Sequence, residues 1–137
     1  MMKPVVAVTP GVYVAESSIP SAGRGVFAAR DYEPGEMIES CPVVVLGPRD
    51  LRLIEKTALD YYYFDWGDDQ KGAGVVLGLG SIYNHSFDPV ATYEKHYLQR
   101  RMDIIARKRI VTGDEITINY NYDPGDTTPL RYDWARC

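Results

Sequence analysis

The most informative segment of the sequence is SIYNHSFDP, residues 81–89. It follows an apolar stretch, Val75–Leu77, that predicts a strand. Within it, Asn84, His85 and Ser86 place an amide, an imidazole and a hydroxyl next to one another. Taken alone, such a triplet is more often a polar turn than a binding site, so its meaning depends on the rest of the chain.

Two common functions of an Asn-His-Ser triplet are disfavoured here. It is formally a glycosylation sequon, but residues 1–12 contain no convincing signal-peptide core. A Ser-His hydrolase is an alternative, yet adjacent residues rarely orient as nucleophile and base, and the sequence has no nucleophile-elbow motif.

A glycine pair, Gly23 and Gly25, flanks Arg24 well upstream of the triplet. Neither glycine carries a Cβ, so the backbone there can approach a ligand closely. The third glycine of a dinucleotide fingerprint is missing and no helix is predicted to follow, which excludes that motif. Alone, the pair indicates a hairpin.

Downstream of the triplet, residues 113–122 read GDEITINYNY. The pattern predicts a turn that leads into a strand ending in two spaced tyrosines, Tyr120 and Tyr122. Standing alone, this segment would be an ordinary hairpin with aromatic ends.

The remaining sequence predicts a β-rich α+β domain of several short sheets. Residues 48–64 change to helical spacing, which predicts a helix, and the polar residues 65–74 predict an exposed loop. Together these two stretches form a helical insertion at about 48–74. The predicted strands are Val12–Val14, Val26–Ala29, Met37–Leu46, Val75–Leu77, Ala91–Leu98, Met102–Arg107 and Ile116–Tyr120.

Length and charge limit the class of protein. A chain of 137 residues has room for a single domain, 1–137. Its net charge is −4 and its basic residues are spread along the chain, which disfavours direct nucleic-acid binding. An acidic surface fits a basic polypeptide partner, although mild acidity is also a common solubility device.

Metal binding and membrane insertion are both disfavoured by the sequence. Cys41 and Cys137 are too few for a disulfide framework or a four-ligand zinc site, and His85 and His96 lie too far apart to read as a metal pair. No apolar run approaches the length needed to span a bilayer. We therefore predict an intracellular protein without a metal.

Three segments, taken in order, resemble the motifs of SET-domain protein-lysine methyltransferases. AGRGVFA at 22–28 is similar to the opening glycine motif, residues 81–89 to the Asn-His-Ser segment, and residues 113–122 to the closing motif. The resemblance covers about residues 11–122 and is greatest to small stand-alone SET proteins such as an algal-virus histone methyltransferase.

The resemblance implies the SET fold, in which short curved sheets surround a knot-like arrangement and the closing segment threads beside the Asn-His-Ser segment. The domain core would be residues 11–122. The tail, 123–137, would close the cofactor site.

The resemblance also implies the site residues and the cofactor, S-adenosyl-L-methionine. Tyr120 would be catalytic, with its hydroxyl directed at the transferring methyl group. Tyr63, Tyr120 and Tyr122 would line the channel for the substrate lysine. Tyr61 and Tyr62 are alternatives to Tyr63, and for each of these three a core or surface role is the commoner one. The implied cofactor-binding residues are Ala22, Gly23, Arg24, Gly25, Tyr83, Asn84, His85, Tyr120 and Trp134.

The sequence departs from the family pattern in three places. Val90 stands where an asparagine usually follows the proline of the Asn-His-Ser segment, and the cysteine-rich flanks of many relatives are absent. Without these flanks, Tyr132 or Trp134 would stack near the adenine of the cofactor. The alternative is that this tail is mobile. Ile118 stands where some subfamilies carry an aromatic residue that limits methylation.

Other functions remain open from the sequence alone. A non-catalytic SET-like module that binds peptide or cofactor is the main alternative, and a methyltransferase of a small amine is the second. A plain β-rich interaction domain would require all three motifs to be accidental. The substrate would be a lysine-containing protein or peptide, either a histone tail or another cellular protein, and so small a domain would gain from forming a homodimer.

Overall fold

A computed structural model describes residues 7–69 and 71–130 of the chain. They form ten strands, one α-helix and one 3-10 turn, which confirms the predicted α+β fold dominated by strands. No helix in these ranges is long and apolar enough to cross a membrane. The elements are β1 Ala7–Thr9, β2 Val12–Glu16, β3 Arg24–Ala28, β4 Met37–Leu46, α1 Pro48–Ile54, the 3-10 turn Ala58–Tyr61, β5 Tyr63–Trp66, β6 Gly72–Val76, β7 Asn84–His85, β8 Ala91–His96, β9 Arg101–Ala106 and β10 Glu115–Ile118.

The first sheet has the strand order β1-β2-β3-β10-β7. β10 pairs antiparallel with β3, Ile116 opposite Val26, and parallel with β7, Thr117 opposite Asn84. β10 therefore lies between the strand that begins with Arg24 and the short strand of the Asn-His-Ser segment. This order places all three motif segments side by side.

The second sheet has the strand order β5-β6-β4-β9-β8, and all its pairs are antiparallel. Side chains of β5 contact β8 and the residue that follows it: the rings of Phe64 and Tyr93 lie 5.4 Å apart and those of Trp66 and Tyr97 lie 5.1 Å apart. The second sheet is therefore curled, so that its two edge strands lie close to each other.

Alternation along the strands supplies the core. In β9, Met102, Ile104 and Ala106 are buried, and in β2 Val12 and Val14 are buried. Burial of a valine, isoleucine or methionine side chain stabilises a fold by about 1.5–3 kcal/mol. Residues of both sheets join in a single apolar cluster with Val26, Ile38, Cys41, Val43, Trp66, Ile110, Ile116 and Ile118.

The helix predicted over residues 48–64 is shorter in the structure. α1 ends at Ile54 and has no buried residue, so packing does not extend it. The Thr57 hydroxyl donates to the carbonyl of Ile54 at 2.7 Å and accepts from the amide of Leu59 at 3.2 Å. This side chain caps the turn that follows and so separates α1 from the 3-10 turn.

The loop predicted over residues 65–74 is shorter in the structure, because both of its ends belong to a hairpin of β5 and β6 in which Trp66 pairs with Gly72. Glycine has low strand propensity, so the strand predicted at Val75–Leu77 covers only the end of β6, which begins three residues earlier at Gly72. Gly74 is required by packing: a Cβ at this position would lie 2.8 Å from the Trp66 ring. The helical insertion predicted at about 48–74 therefore corresponds to a short helix, a 3-10 turn and this hairpin.

Candidate active site

A cavity of about 630 Å³ lies where the two sheets meet residues 123–130. Polar and aromatic side chains dominate its wall, and both sheets contribute to it. The lining residues are Ala22, Gly23, Arg24, Asp60, Tyr61, Tyr62, Tyr63, Phe64, Asp65, Ser81, Ile82, Tyr83, Asn84, Tyr93, Lys95, Tyr120, Asn121, Tyr122, Pro129 and Leu130.

Most of the residues predicted from the sequence meet at this cavity. Gly25 and His85 are buried next to lining residues but are not part of the wall. Tyr132 and Trp134, predicted to stack near the adenine, lie outside the described residues. The predicted residues in the wall are Ala22, Gly23, Arg24, Tyr63, Tyr83, Asn84, Tyr120 and Tyr122.

Tyr120 is held by the Asn-His-Ser segment at both its backbone and its side chain. Its hydroxyl donates to the backbone carbonyl of Tyr83 at 2.6 Å. Its backbone amide donates to Nδ1 of His85 at 3.1 Å, and the two rings lie 5.4 Å apart. The Tyr120 hydroxyl therefore has a defined position in the cavity wall, beside a carbonyl oxygen.

His85 supports Tyr120 only while its imidazole is neutral. Nδ1 accepts the amide hydrogen of Tyr120, so the neutral ring carries its proton on Nε2. Burial lowers the pKa of His85, and the Phe87 ring packs edge-on against it at 4.3 Å. A protonated imidazole has two N–H donors and could not accept this hydrogen bond.

We expect the free energy of unfolding to fall as the pH is lowered from 7 to 5. The pKa of His85 in the unfolded chain is about 6.5 and its pKa in the folded protein is lower, so between these values the unfolded chain binds more protons. The loss of stability begins near the pKa of His85 in the unfolded chain and levels off below its pKa in the folded protein. Urea unfolding measured at several pH values checks this.

The matched variants for this test are His85→Gln and His96→Gln, which replace the two histidines of the chain. In His85→Gln the new amide side chain can still accept the Tyr120 amide hydrogen but does not titrate, so the loss of stability between pH 7 and 5 should shrink in that variant. If His85→Gln kept the full loss, His85 would not be the group responsible.

Hydrogen bonds of Asn84 and Glu115 connect the three motif segments next to the cavity. Asn84 Nδ2 donates to the carbonyl of Arg24 at 2.8 Å and to Glu115 Oε2 at 2.9 Å. Glu115 also accepts from the Ser17 hydroxyl at 2.9 Å and from the Ser18 amide at 3.0 Å. The sequence reasoning missed this role of Glu115, since nothing local distinguishes it from an ordinary turn residue.

The two glycines of the opening motif serve different purposes. Gly23 has a φ of +74° and open space around the position of a Cβ, at the cavity wall. Gly25 is close to protein atoms: a Cβ there would lie 2.4 Å from Glu115 Oε2 and 3.1 Å from Asn84 Nδ2. The close approach expected at Gly25 is therefore made by side chains of the protein itself.

An aromatic cluster forms another part of the wall. The Tyr93 ring lies 5.0 Å from that of Tyr122, and the Tyr93 hydroxyl donates to the carbonyl of Asn119 at 3.0 Å. Tyr122 has a φ of +78°, a strained conformation of the kind that occurs at functional sites. Lys95 Nζ lies 4.8 Å from the centre of the Tyr122 ring and donates to the carbonyl of Asp65 at 2.8 Å.

Tyr93 and Lys95 were also missed by the sequence reasoning, although alternation along β8 could have indicated them. Ala91 and Tyr93 are buried on the same face of the strand, and Lys95 continues this spacing. Burial lowers the pKa of Lys95.

Two asparagines bind residues 123–130 at the edge of the cavity. Asn119 Nδ2 donates to the carbonyl of Asp126 at 2.7 Å, and Asn121 Nδ2 donates to that of Thr128 at 2.8 Å. These bonds bring Pro129 and Leu130 into the cavity wall.

One polar cluster away from the cavity contains possible metal ligands. Glu94 and Asp103 are opposite each other on β8 and β9, and His96 Nε2 lies 3.1 Å from Asp103 Oδ2 and 3.5 Å from Glu94 Oε2. Arg101 and Ser40 also contact Asp103, at 3.3 Å and 2.5 Å. Opposed like charges destabilise a sheet, and these neighbours offset that repulsion. The expectation that the protein has no metal stays a prediction.

Comparison with known proteins gives consistent matches. The SET domain family model matches residues 23–121. A Schizosaccharomyces pombe histone-lysine N-methyltransferase specific for H3 lysine-37 is 29% identical over 99 residues, covering 72% of this chain and 66% of the relative. A candidate histone methyltransferase from Plasmodium falciparum, known from a crystal structure, is 30% identical with a TM-score of 0.63, covering 82% of this chain and 95% of that one.

The fold is also similar to a chain of the Chaetomium thermophilum polycomb repressive complex 2, solved in an autoinhibited conformation bound to S-adenosylmethionine. The TM-score is 0.70 at 24% identity, covering 82% of this chain and 15% of that one, which shows the fold alone. The chain thus spans just under two thirds of the fission-yeast relative and a small part of the complex subunit. Because the family model matches more than half of the chain and the Plasmodium protein is 30% identical over most of both chains, the chain belongs to the SET-domain family.

Proposed function

We propose that the protein is an S-adenosylmethionine-dependent protein-lysine methyltransferase with Tyr120 as its catalytic residue. The observation that carries this proposal is the Tyr120 hydroxyl, held at 2.6 Å from the Tyr83 carbonyl in the wall of a cavity. The first sheet contributes Asn84 to this wall, and the second sheet contributes Tyr63 and Tyr93. A cofactor and a lysine side chain could therefore approach Tyr120 from different directions.

The residues present fit the cofactor. The positive φ and the open space at Gly23 let the backbone of residues 22–24 approach a ligand, and Arg24 offers a cation for a carboxylate. The Asn84 side chain is anchored to Arg24, which fixes both relative to Tyr120. When bound, the cofactor supplies a methyl group on a positively charged sulfonium. Asn84 and the backbone of residues 22–24 would hold it, with His85 acting through the position of Tyr120.

The aromatic cluster suits a lysine side chain. Tyr63, Tyr93 and Tyr122 would pack along its methylene groups, and desolvation there favours the neutral amine that the reaction requires. Tyr120 and the carbonyl of Tyr83 would orient that amine in line with the methyl group. Because the displacement needs alignment more than acid–base chemistry, the fixed position of these two oxygens would provide much of the rate acceleration.

The substrate would be a lysine side chain of another protein. The relatives of this chain favour a histone as that protein. The fission-yeast relative acts on histone H3 and the Plasmodium relative is a candidate histone methyltransferase. A net charge of −4 is consistent with a basic polypeptide and disfavours direct binding to nucleic acid. The protein would then act inside the cell, on chromatin or in the cytoplasm, and the expected homodimer stays a prediction.

Mass spectrometry of methyl transfer tests the proposal. Purified protein and S-adenosylmethionine would be incubated with core histones and, separately, with a cell lysate. We expect mass gains in units of one methyl group on lysine, and we expect them to be lost with Tyr120→Phe.

The two alternative functions give different results in the same experiment. Cofactor binding measured by calorimetry without transfer to any protein would favour a non-catalytic module. Consumption of cofactor with small amines, but not with either protein pool, would favour a small-molecule methyltransferase. Either result would overturn the proposal.

A further inference from the structure

Tyr83 is held at both its backbone and its side chain. Its backbone carbonyl accepts the Tyr120 hydroxyl at 2.6 Å, and its own hydroxyl donates to Glu39 Oε1 at 2.8 Å. Glu39 lies on β4 of the second sheet, whereas Tyr83 directly precedes β7 of the first sheet. The Glu39–Tyr83 hydrogen bond therefore connects the second sheet to the residue whose carbonyl holds Tyr120.

The Glu39 carboxylate is itself fixed in place. Its Oε2 accepts the backbone amide of Leu79 at 2.9 Å. The chain passes close to the same oxygen at Gly78, where a Cβ would lie 2.5 Å from Oε2 and where φ is +62°. Glu39 thus anchors two points of residues 78–83, the segment that leads into β7.

The Tyr83 side chain is suited to transmit this anchoring. It is only 1% exposed, so its ring has little freedom to move. Burial, together with the neighbouring Glu39 carboxylate, raises the pKa of Tyr83 well above its usual value. Its hydroxyl therefore stays protonated and acts as the donor to Glu39, a charge-assisted hydrogen bond of the stronger kind.

We propose that Glu39 is a positioning residue for methyl transfer, which acts through Tyr83 to fix the carbonyl that holds the Tyr120 hydroxyl. The inference rests on the proposed function, because it assigns Glu39 a part in that reaction. A small displacement of the Tyr83 carbonyl would shift the Tyr120 hydroxyl without removing any group that contacts cofactor or peptide. The expected signature is a lower kcat with unchanged binding.

The test compares Glu39→Gln, Tyr83→Phe and the double variant. Glu39→Gln keeps the size of the side chain but replaces one carboxylate oxygen by an N–H donor, which removes the charge-assisted hydrogen bond from the Tyr83 hydroxyl, and Tyr83→Phe removes the hydroxyl itself. We expect each single variant to lower kcat about tenfold, with KM for a histone substrate and Kd for the cofactor changed by less than about twofold. Because both variants break the same link, the double variant should lower kcat little further.

Glu36→Gln is the matched control. This residue lies shortly before β4, pairs with Arg30 on the surface at 2.9 Å and is not part of the cavity wall, so its kcat should equal that of the wild type. Full kcat in Glu39→Gln, or additive losses in the double variant, would overturn the inference. If the wild-type protein transferred no methyl group, the proposed function itself would fail. If Glu39→Gln failed to fold, the kcat and Kd of Tyr83→Phe alone would decide, because Tyr83→Phe leaves Glu39 and its bond to Leu79 in place.

Discussion

Replacing Tyr120 by phenylalanine should lower kcat by about 100-fold or more, while cofactor affinity changes little. Losing one preorganised hydrogen-bond donor at a reaction centre typically has an effect of this size. The variant removes the hydroxyl that the Tyr83 carbonyl holds at 2.6 Å, but leaves the ring and the backbone bond from Tyr120 to His85 in place. Single-turnover methyl transfer and calorimetric titration of the cofactor would measure the two effects separately.

The matched control for this substitution is Tyr13→Phe. Tyr13 lies on β2, where its ring stacks on Phe27 with centroids 5.6 Å apart, and it is not part of the cavity wall. Removing its hydroxyl should leave kcat unchanged. A Tyr120→Phe protein that retained most of its kcat would remove Tyr120 from its proposed catalytic role, and an equal loss in Tyr13→Phe would point to a general effect on folding.

Local sequence patterns were sufficient to predict strand pairs that are joined by short turns. The sequence predicts strands at Ala91–Leu98 and Met102–Arg107, and the structure has β8 and β9 there, joined across residues 97–100. Alternation and a tight turn are both local properties, so one sequence contains the information for the pair. The β5–β6 hairpin was missed because its second strand begins Gly-Ala-Gly, a composition typical of loops.

Pairings between distant segments could not be derived from local patterns. The contact of β10 with β3 and β7 joins segments far apart in the chain, and only the resemblance to a known family predicted that these segments meet. The roles of Glu39 and Glu115 were invisible for the same reason. Each carboxylate accepts hydrogen bonds from segments remote in sequence, and its own neighbours give no sign of those partners.

The candidate site was predicted where motifs are short and contiguous, and missed where a wall is assembled from several elements. Asn84 and Tyr120 belong to such motifs and lie in the wall of the cavity. Tyr93 and Lys95 enter the same wall because the second sheet curls until β8 faces β5. Curvature of this kind depends on packing across the whole sheet, so a strand pattern does not reveal it.

Replacing Gly25 by alanine should destabilise the protein by about 1–3 kcal/mol and weaken cofactor binding about tenfold or more. The added Cβ would lie 2.4 Å from Glu115 Oε2 and 3.1 Å from Asn84 Nδ2. An unrestrained glutamate could swing aside, but Ser17, Ser18 and Asn84 all donate to this carboxylate. Moving it would break several of these bonds at once.

The expected effect on the cofactor follows from the same contacts. Asn84 is held between the Arg24 carbonyl and Glu115, so displacing Glu115 changes the position of Asn84 in the cavity wall. Urea unfolding would give the change in stability, and calorimetry at a temperature where the variant is folded would give the cofactor Kd.

Gly47→Ala is the matched control for the glycine substitution. Gly47 has a φ of −76°, has open space around the position of a Cβ and lies outside the cavity wall, so alanine should cost less than about 1 kcal/mol and leave the Kd unchanged. If Gly25→Ala behaved like this control, Glu115 would be free to move and would not hold the three motif segments together. If Gly25→Ala lost stability but kept its cofactor Kd, the hydrogen bonds of Glu115 would support the fold without setting the position of Asn84 relative to the cofactor.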